Sequence, residues 1–276
     1  MDFQGDCRAV KRIDRVRVKI VRATDHQRAL EEEVRAFLDS SPYRVATKND
    51  PASRRLIYYV ESVQDTPVRI SSIAGDVLQN LRSSLDHLAF ELFIVGTHGK
   101  AGAGKHVSFP IFDDANGYNK YAADKVKGMP GKAVSAINSI RPYRGGNDVL
   151  WQIHRLNNID KHRFLITVGS AFRSLDLGAH AGAHMLQMMS EHCPEVAKIK
   201  FPSVFFKSTD KMFPLKPGDE LFLDAPDAKP NPKMQFRFEI AFGENGVIEG
   251  APLLDTLQTM IRTVDSLVAS FATFLE

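Results

Sequence analysis

The chain has 276 residues, 43% hydrophobic and 25% charged, with a formal net charge of +3, the proportions of an ordinary globular protein with length for one large domain or two small ones. Two cysteines, Cys7 and Cys193, exclude a disulfide framework, and the longest apolar run, LAFELFIVG, contains Glu91 and is about half of what a membrane helix needs. With no apolar core in MDFQGDCRAVKR to serve as a secretory signal, a reducing, cytoplasmic setting without a membrane partner is the expectation.

Residues 8–40 read as a long helix. Ile13, Arg17, Ile20, Leu30, Val34, Phe37 and Leu38 follow helical spacing, Glu31 to Glu33 suit a polar face, and Ser40-Ser41-Pro42 stops it, although RVRVKIV also alternates like a strand. Arg8, Lys11, Arg12, Arg15, Arg17, Lys19 and Arg22 crowd this segment with Asp14 the only acid among them. Such a stretch is either a solvated face or a patch that attracts a polyanion. Residues 43–49 and 55–63 then form two strands joined through NDPAS. Thr66-Pro67 leads to a helix over 72–95, marked at its start by Ser71 and Ser72 and ended by Gly96.

From Thr97 to Lys127 the chain reads as loop-rich, with VSFPIF a short buried strand. A helix near 130–140 ends at Arg141-Pro142, and a stronger one over 148–163 precedes the strand FLITVG. The remainder is β-rich: KIKFPSVFF, ELFLDAP, MQFRFEIAF and VIEG, the last two joined through Asn245-Gly246, a strong hairpin signal. From about Pro252 an amphipathic helix closes the chain, its stripe running through Leu257, Ile261, Val264, Val268 and Phe271. With no repeat and no clear linker, the expected fold is a single α+β domain over 1–276. Several packed helices are combined with antiparallel strands and hairpins.

The helix over 72–95 is expected to be a central, buried element. Val77, Leu78, Leu81, Leu85, Leu88, Ala89 and Leu92 make one broad apolar face. A second ridge holds Asp76, Asn80, Ser84, His87 and Glu91, while Arg82 and Asp86, at i and i+4, suit an ion pair on a third. In LWQIHRLNNIDKHR the polar residues His154, Asn158, Lys161 and His162 share a ridge, with Asp160 nearby. His154 and His162 are about 12 Å apart along the axis, too far to hold one metal unaided.

GDVLQNLRSSLDHL and LWQIHRLNNIDKHRFL resemble the paired motifs of a widespread group of bacterial proteins, in which PYRV, FPI and a PLKPGDELF-like stretch also occur. That resemblance spans most of the chain and implies no activity. Arg82-x4-His87 is also similar to the signature of HEPN-domain ribonucleases. This second resemblance implies metal-independent RNA cleavage, with RNA and a second copy of the chain as partners and no cofactor. His87 would move a proton and Arg82 would stabilise charge on the phosphorane, with Asp86 beside them. On a regular helix those two side chains point about 140° apart, and the β-rich second half departs from the family's helical bundle.

Other elements carry less. Gly99 to Lys105 matches G-x4-G-K, but His106 stands where the P-loop needs Ser or Thr, and no strand–loop–helix context surrounds it. His180 and His184 are four apart between glycines that weaken a helix, and Cys193 beside His192 is not a nucleophile–base pair by adjacency. Three readings therefore stand: a HEPN-like endoribonuclease, a metal- or small-molecule-binding enzyme built around His87, His154 and His162, and a non-catalytic binding or regulatory module.

Overall fold

The computed structural model of the chain describes residues 11–99, 106–176, 205–232, 234 and 236–276. The first helix, α1 (Arg12–Asp39), buries Val16, Ile20, Ala23, Gln27, Leu30, Val34 and Phe37, a three-or-four repeat that keeps one stripe against the core. The Ser40 hydroxyl donates to the Phe37 carbonyl, and Ser41 takes φ +56°, which turns the chain out of the helix. β1 (Tyr43–Asn49) and β2 (Arg55–Val63) follow as the expected antiparallel hairpin.

The central helix, α2 (Val68–Gly96), starts four residues earlier than the serines indicate. Pro67, held at φ −55° and ψ 134°, takes the cap position, and its carbonyl accepts from the Ile70 N–H at 3.0 Å. Ser71 is then free to bond sideways, its hydroxyl 3.0 Å from that of Thr167.

Two expectations fail between residues 107 and 127. VSFPIF is not a strand: Phe109, Pro110 and Ile111 are buried, but only Phe112 makes a bridge, a parallel one to Tyr143. The region also contains a helix, α3 (Ala115–Lys125), opened by Asp114, whose carboxylate accepts from the Gly117 N–H at 2.7 Å. α4 (Gly131–Ile140) matches its expected span. α5 (Asp148–Asp160) is capped by the Asn147 side chain accepting from the Leu150 N–H, and it stops three residues before the expected end.

β3 (Thr167–Asp176), β4 (Phe205–Met212), β5 (Glu220–Pro226), β6 (Phe238–Glu244) and β7 (Ile248–Pro252) complete two antiparallel sheets, ordered β1-β2-β5 and β4-β3-β6-β7. Gly246, at φ +75°, makes the β6–β7 turn that Asn-Gly announces. The C-terminal helix, α6 (Leu253–Ser270), ends in a 3-10 turn at Ala272–Phe274.

Ion pairs fix how α1 and α2 run. Arg12 meets Glu91 at 2.8 Å, His26 stands 4.0 Å from Asp76, and Arg69 meets Glu33 at 3.0 Å, so the two are antiparallel. α2 and α5 are also antiparallel and very close. A Cβ on Gly75 would lie 2.3 Å from the Asp160 carboxylate, so any side chain there must displace that carboxylate. Beyond the end of α5, Arg163 donates to both carboxylate oxygens of the buried Glu244 at 3.0 and 2.8 Å, which ties α5 to β6. α6 lies against α1, α2 and α5, with Gln27 donating to the Leu254 carbonyl at 3.2 Å. Apolar side chains of these four helices and of both sheets join one buried cluster. The expected α+β fold is thus the observed one, with α2 at its centre.

Candidate functional site

Around α2, the Ser84 and Glu91 direction faces α1, and the leucines face the core. Arg82 lies on a third side, covered by the irregular segment 108–113. That segment has buried backbone groups and no sheet to satisfy them, so side chains must do so. Arg82 Nη2 donates to the Phe109 carbonyl at 3.1 Å, and the Asp86 carboxylate accepts from the Phe109 N–H at 3.0 Å. Arg82 and Asp86 pair at 3.1 Å, the i, i+4 contact that their spacing implies. One ion pair therefore clamps both backbone groups of Phe109.

The clamp leaves part of Arg82 unused. The residue is only 9% exposed, and its Nη1 is buried with no partner. Burial pushes its pKa down from the ordinary value and Asp86 opposes this, but a guanidinium keeps its charge throughout the physiological range.

The second member of the site comes from α5. The Asn158 amide nitrogen lies 3.1 Å from His154 Nε2. An amide N–H donates, so Nε2 accepts, and the neutral ring carries its proton on Nδ1. That Nδ1 is also buried without a partner. Burial, reinforced by the nearby Arg82 charge and opposed by Asp113, lowers the His154 pKa to about 4. The imidazole is therefore neutral at pH 7, and it presents an N–H.

Arg82 and His154 line one cavity of about 360 Å³, together with Ser108, Phe109, Phe112, Asp113 and Lys125. Lys125 is the last residue of α3. Asp113 accepts from Trp151 Nε1 at 3.1 Å, and the Arg144 guanidinium lies 4.9 Å from the centre of the Trp151 ring. A guanidinium, an imidazole, an ammonium and a hydroxyl line this small space against the single Asp113 carboxylate, a balance that suits an oxyanion. Two fixed cations disfavour a metal ion there.

The residues singled out in the sequence thus separate. Arg82 and His154 line the cavity, with Asp86 bonded to Arg82 and Asn158 to His154. His87 is exposed on the outer side of α2, and Asn80, donating to the Asp76 carbonyl at 2.8 Å, is on that side too. Asp160 lies against Gly75, its carboxyl pushed up by burial and by Asp76, while Lys161 and His162 are exposed past the end of α5. The three imidazoles expected to cluster do not. Among the described residues no three His, Cys, Asp or Glu side chains gather as a metal site. Residues 100–105 of the glycine-rich loop, Cys7, His180, His184, His192 and Cys193 lie outside the described residues.

Sequence reasoning missed Ser108 and Asp113, which carry no periodic or motif signal and reach the site only through the fold. Lys125 stands out in the sequence only as one of a basic excess with Lys100, Lys105, Lys120, Lys127, Lys132, Arg141 and Arg144, the kind of patch that attracts a polyanion. Set against protein-family models, curated proteins and solved structures, the chain matches none.

Proposed function

We propose that the chain binds a small phosphorylated molecule, its phosphate held between α2, α5 and the segment 108–113 by Arg82, His154 and Lys125. One observation supports this reading: Arg82 and His154, each with a buried donor that has no protein partner, line a single cavity. A buried donor left unmet costs roughly 1–3 kcal/mol, and a ligand oxygen that accepts from it removes that penalty. A phosphate favours this set over a flat carboxylate because its oxygens point in several directions. The donors here come from three helices rather than from one bidentate fork.

Each neighbour then has a task. Asp86 pins Arg82 through the Phe109 backbone, and Asn158 fixes the His154 tautomer that carries its proton on Nδ1. Of the three readings drawn from the sequence, small-molecule recognition gains most, with His154 taking the place given to His87. The ribonuclease reading keeps its phosphate-binding arginine but loses support for its proton carrier, because His87 lies on a side of α2 that does not line this cavity.

Calorimetry and thermal unfolding with inorganic phosphate and glycerol phosphate test the proposal. Saturable binding and a raised unfolding midpoint are expected. Arg82→Lys keeps the charge but not the fork, and should weaken binding roughly tenfold with an unchanged circular dichroism spectrum. If neither compound shifts the midpoint of the unaltered protein, the proposal fails.

A further inference from the structure

The opposite side of α2 has a different character, and its features owe nothing to the cavity. Between residues 11 and 22, α1 carries Lys11, Arg12, Arg15, Arg17, Lys19 and Arg22 against Asp14 alone. Arg15, Lys19 and Arg22 fall at i, i+4 and i+7, one stripe with successive rises of about 6 and 4.5 Å. The pairing of Arg12 and Arg15 with Glu91, and of His26 with Asp76, shows that this stripe is the flank next to α2. The antiparallel run then sets Arg15 level with His87, and Arg22 level with Asn80.

Glu91 neutralises part of the charge near Arg12 and Arg15. Among the described residues Lys19 and Arg22 form no ion pair, and both Arg15 and Arg22 are exposed. On the α2 bank His87 is exposed, and Phe90, its ring centre 6.5 Å from that of Phe93, keeps 45% of its surface in solvent. A line of cations beside a protruding ring and a solvated imidazole is the composition of a surface that follows a phosphate backbone and stacks a base.

We infer that the outer α1–α2 face is a docking surface for a single strand of nucleic acid. Lys19 and Arg22 meet consecutive phosphates, Phe90 stacks on a base, and His87 hydrogen-bonds beside them. A membrane surface fits less well. The apolar residues exposed on the outer side of α1 are Val18 and Val21, and Phe90 alone adds an aromatic ring from α2, too little apolar surface to seat an interfacial helix among lipid chains.

Fluorescence anisotropy with a short labelled uridine oligomer, at low and at moderate salt, decides it. The unaltered protein should bind saturably at low salt, with affinity falling steeply as salt rises. Lys19→Glu combined with Arg22→Glu should lower affinity at least roughly tenfold. Phe90→Ala should lower it roughly fivefold or more with little change in salt slope. Lys132→Glu, on the exposed surface of α4, should leave it unchanged. The inference is overturned by absence of binding at low salt, by an equal loss in Lys132→Glu, or by a reversed stripe that binds as before. Binding to phosphatidylserine vesicles in preference to the oligomer would overturn it equally. Circular dichroism on each variant confirms that the fold is kept.

Discussion

Arg82 and His87 sit five residues apart on one helix and inhabit opposite physical regimes. Arg82 is sealed under Phe109, its guanidinium divided between a backbone clamp and one buried donor left over, at the edge of a cavity that the residue lines. His87 stands in solvent beside a cationic stripe. Where water is excluded, each polar contact is strong and each omission is costly, so the site is small and geometrically demanding. Where water is present, single contacts are weak and screened, and binding comes from their number. Residue type alone separates neither case. The helical sector on which each residue falls does.

The largest effect expected of this contrast is on stability. Arg82→Ala removes the buried partner of a pair whose Asp86 side is partly open to solvent and strands the Phe109 carbonyl, and should cost about 2 kcal/mol in urea unfolding. An Arg82→Ala protein as stable as the parent would erase the distinction drawn between the two sides.

An intermediate effect concerns pH. The His154 pKa is held at about 4 in the folded protein against the ordinary 6.5, so between those values the unfolded chain binds more protons. Stability is therefore full above pH 6.5 and declines as pH falls from there toward 4. His154→Phe should flatten that decline. Bound phosphate favours the imidazolium and should blunt the same decline in the unaltered protein. A decline indifferent to both His154→Phe and phosphate would contradict the buried, neutral ring. The smallest effect belongs to His87→Ala, within about 0.5 kcal/mol of the parent by the same unfolding measurement, as for a solvated surface residue.

Elements with a strong local signal were legible in the sequence. β1 and β2 carry alternation and a turn between them, and Arg82–Asp86 needs only a helix to meet. α3 escaped notice because its fold depends on an Asp114 cap and on burying little beyond Tyr118 and Ala122, so no apolar stripe advertises it. The ridge of α2 was legible as a pattern but not as an environment. Of its members Ser84 and Glu91 are buried under α1 while His87 is exposed, a split decided by the neighbouring helix. The meeting of Arg82 with His154 is a tertiary fact. It follows from the antiparallel passage of α5 along α2, which no spacing within either helix encodes.

That passage has a fulcrum. Gly75 does not line the cavity, yet it and Arg82 ride on one rigid rod, as do Asp160 and His154 on another, with each pair separated by about 10 Å along its axis. The Asp160 carboxylate rests on the bare backbone at Gly75 and so marks the hinge end of the two rods, while the cavity lies at the other. A side chain at that position must first push the carboxylate aside, so its effect reaches Asp160 before it reaches the guanidinium and the imidazole two turns away.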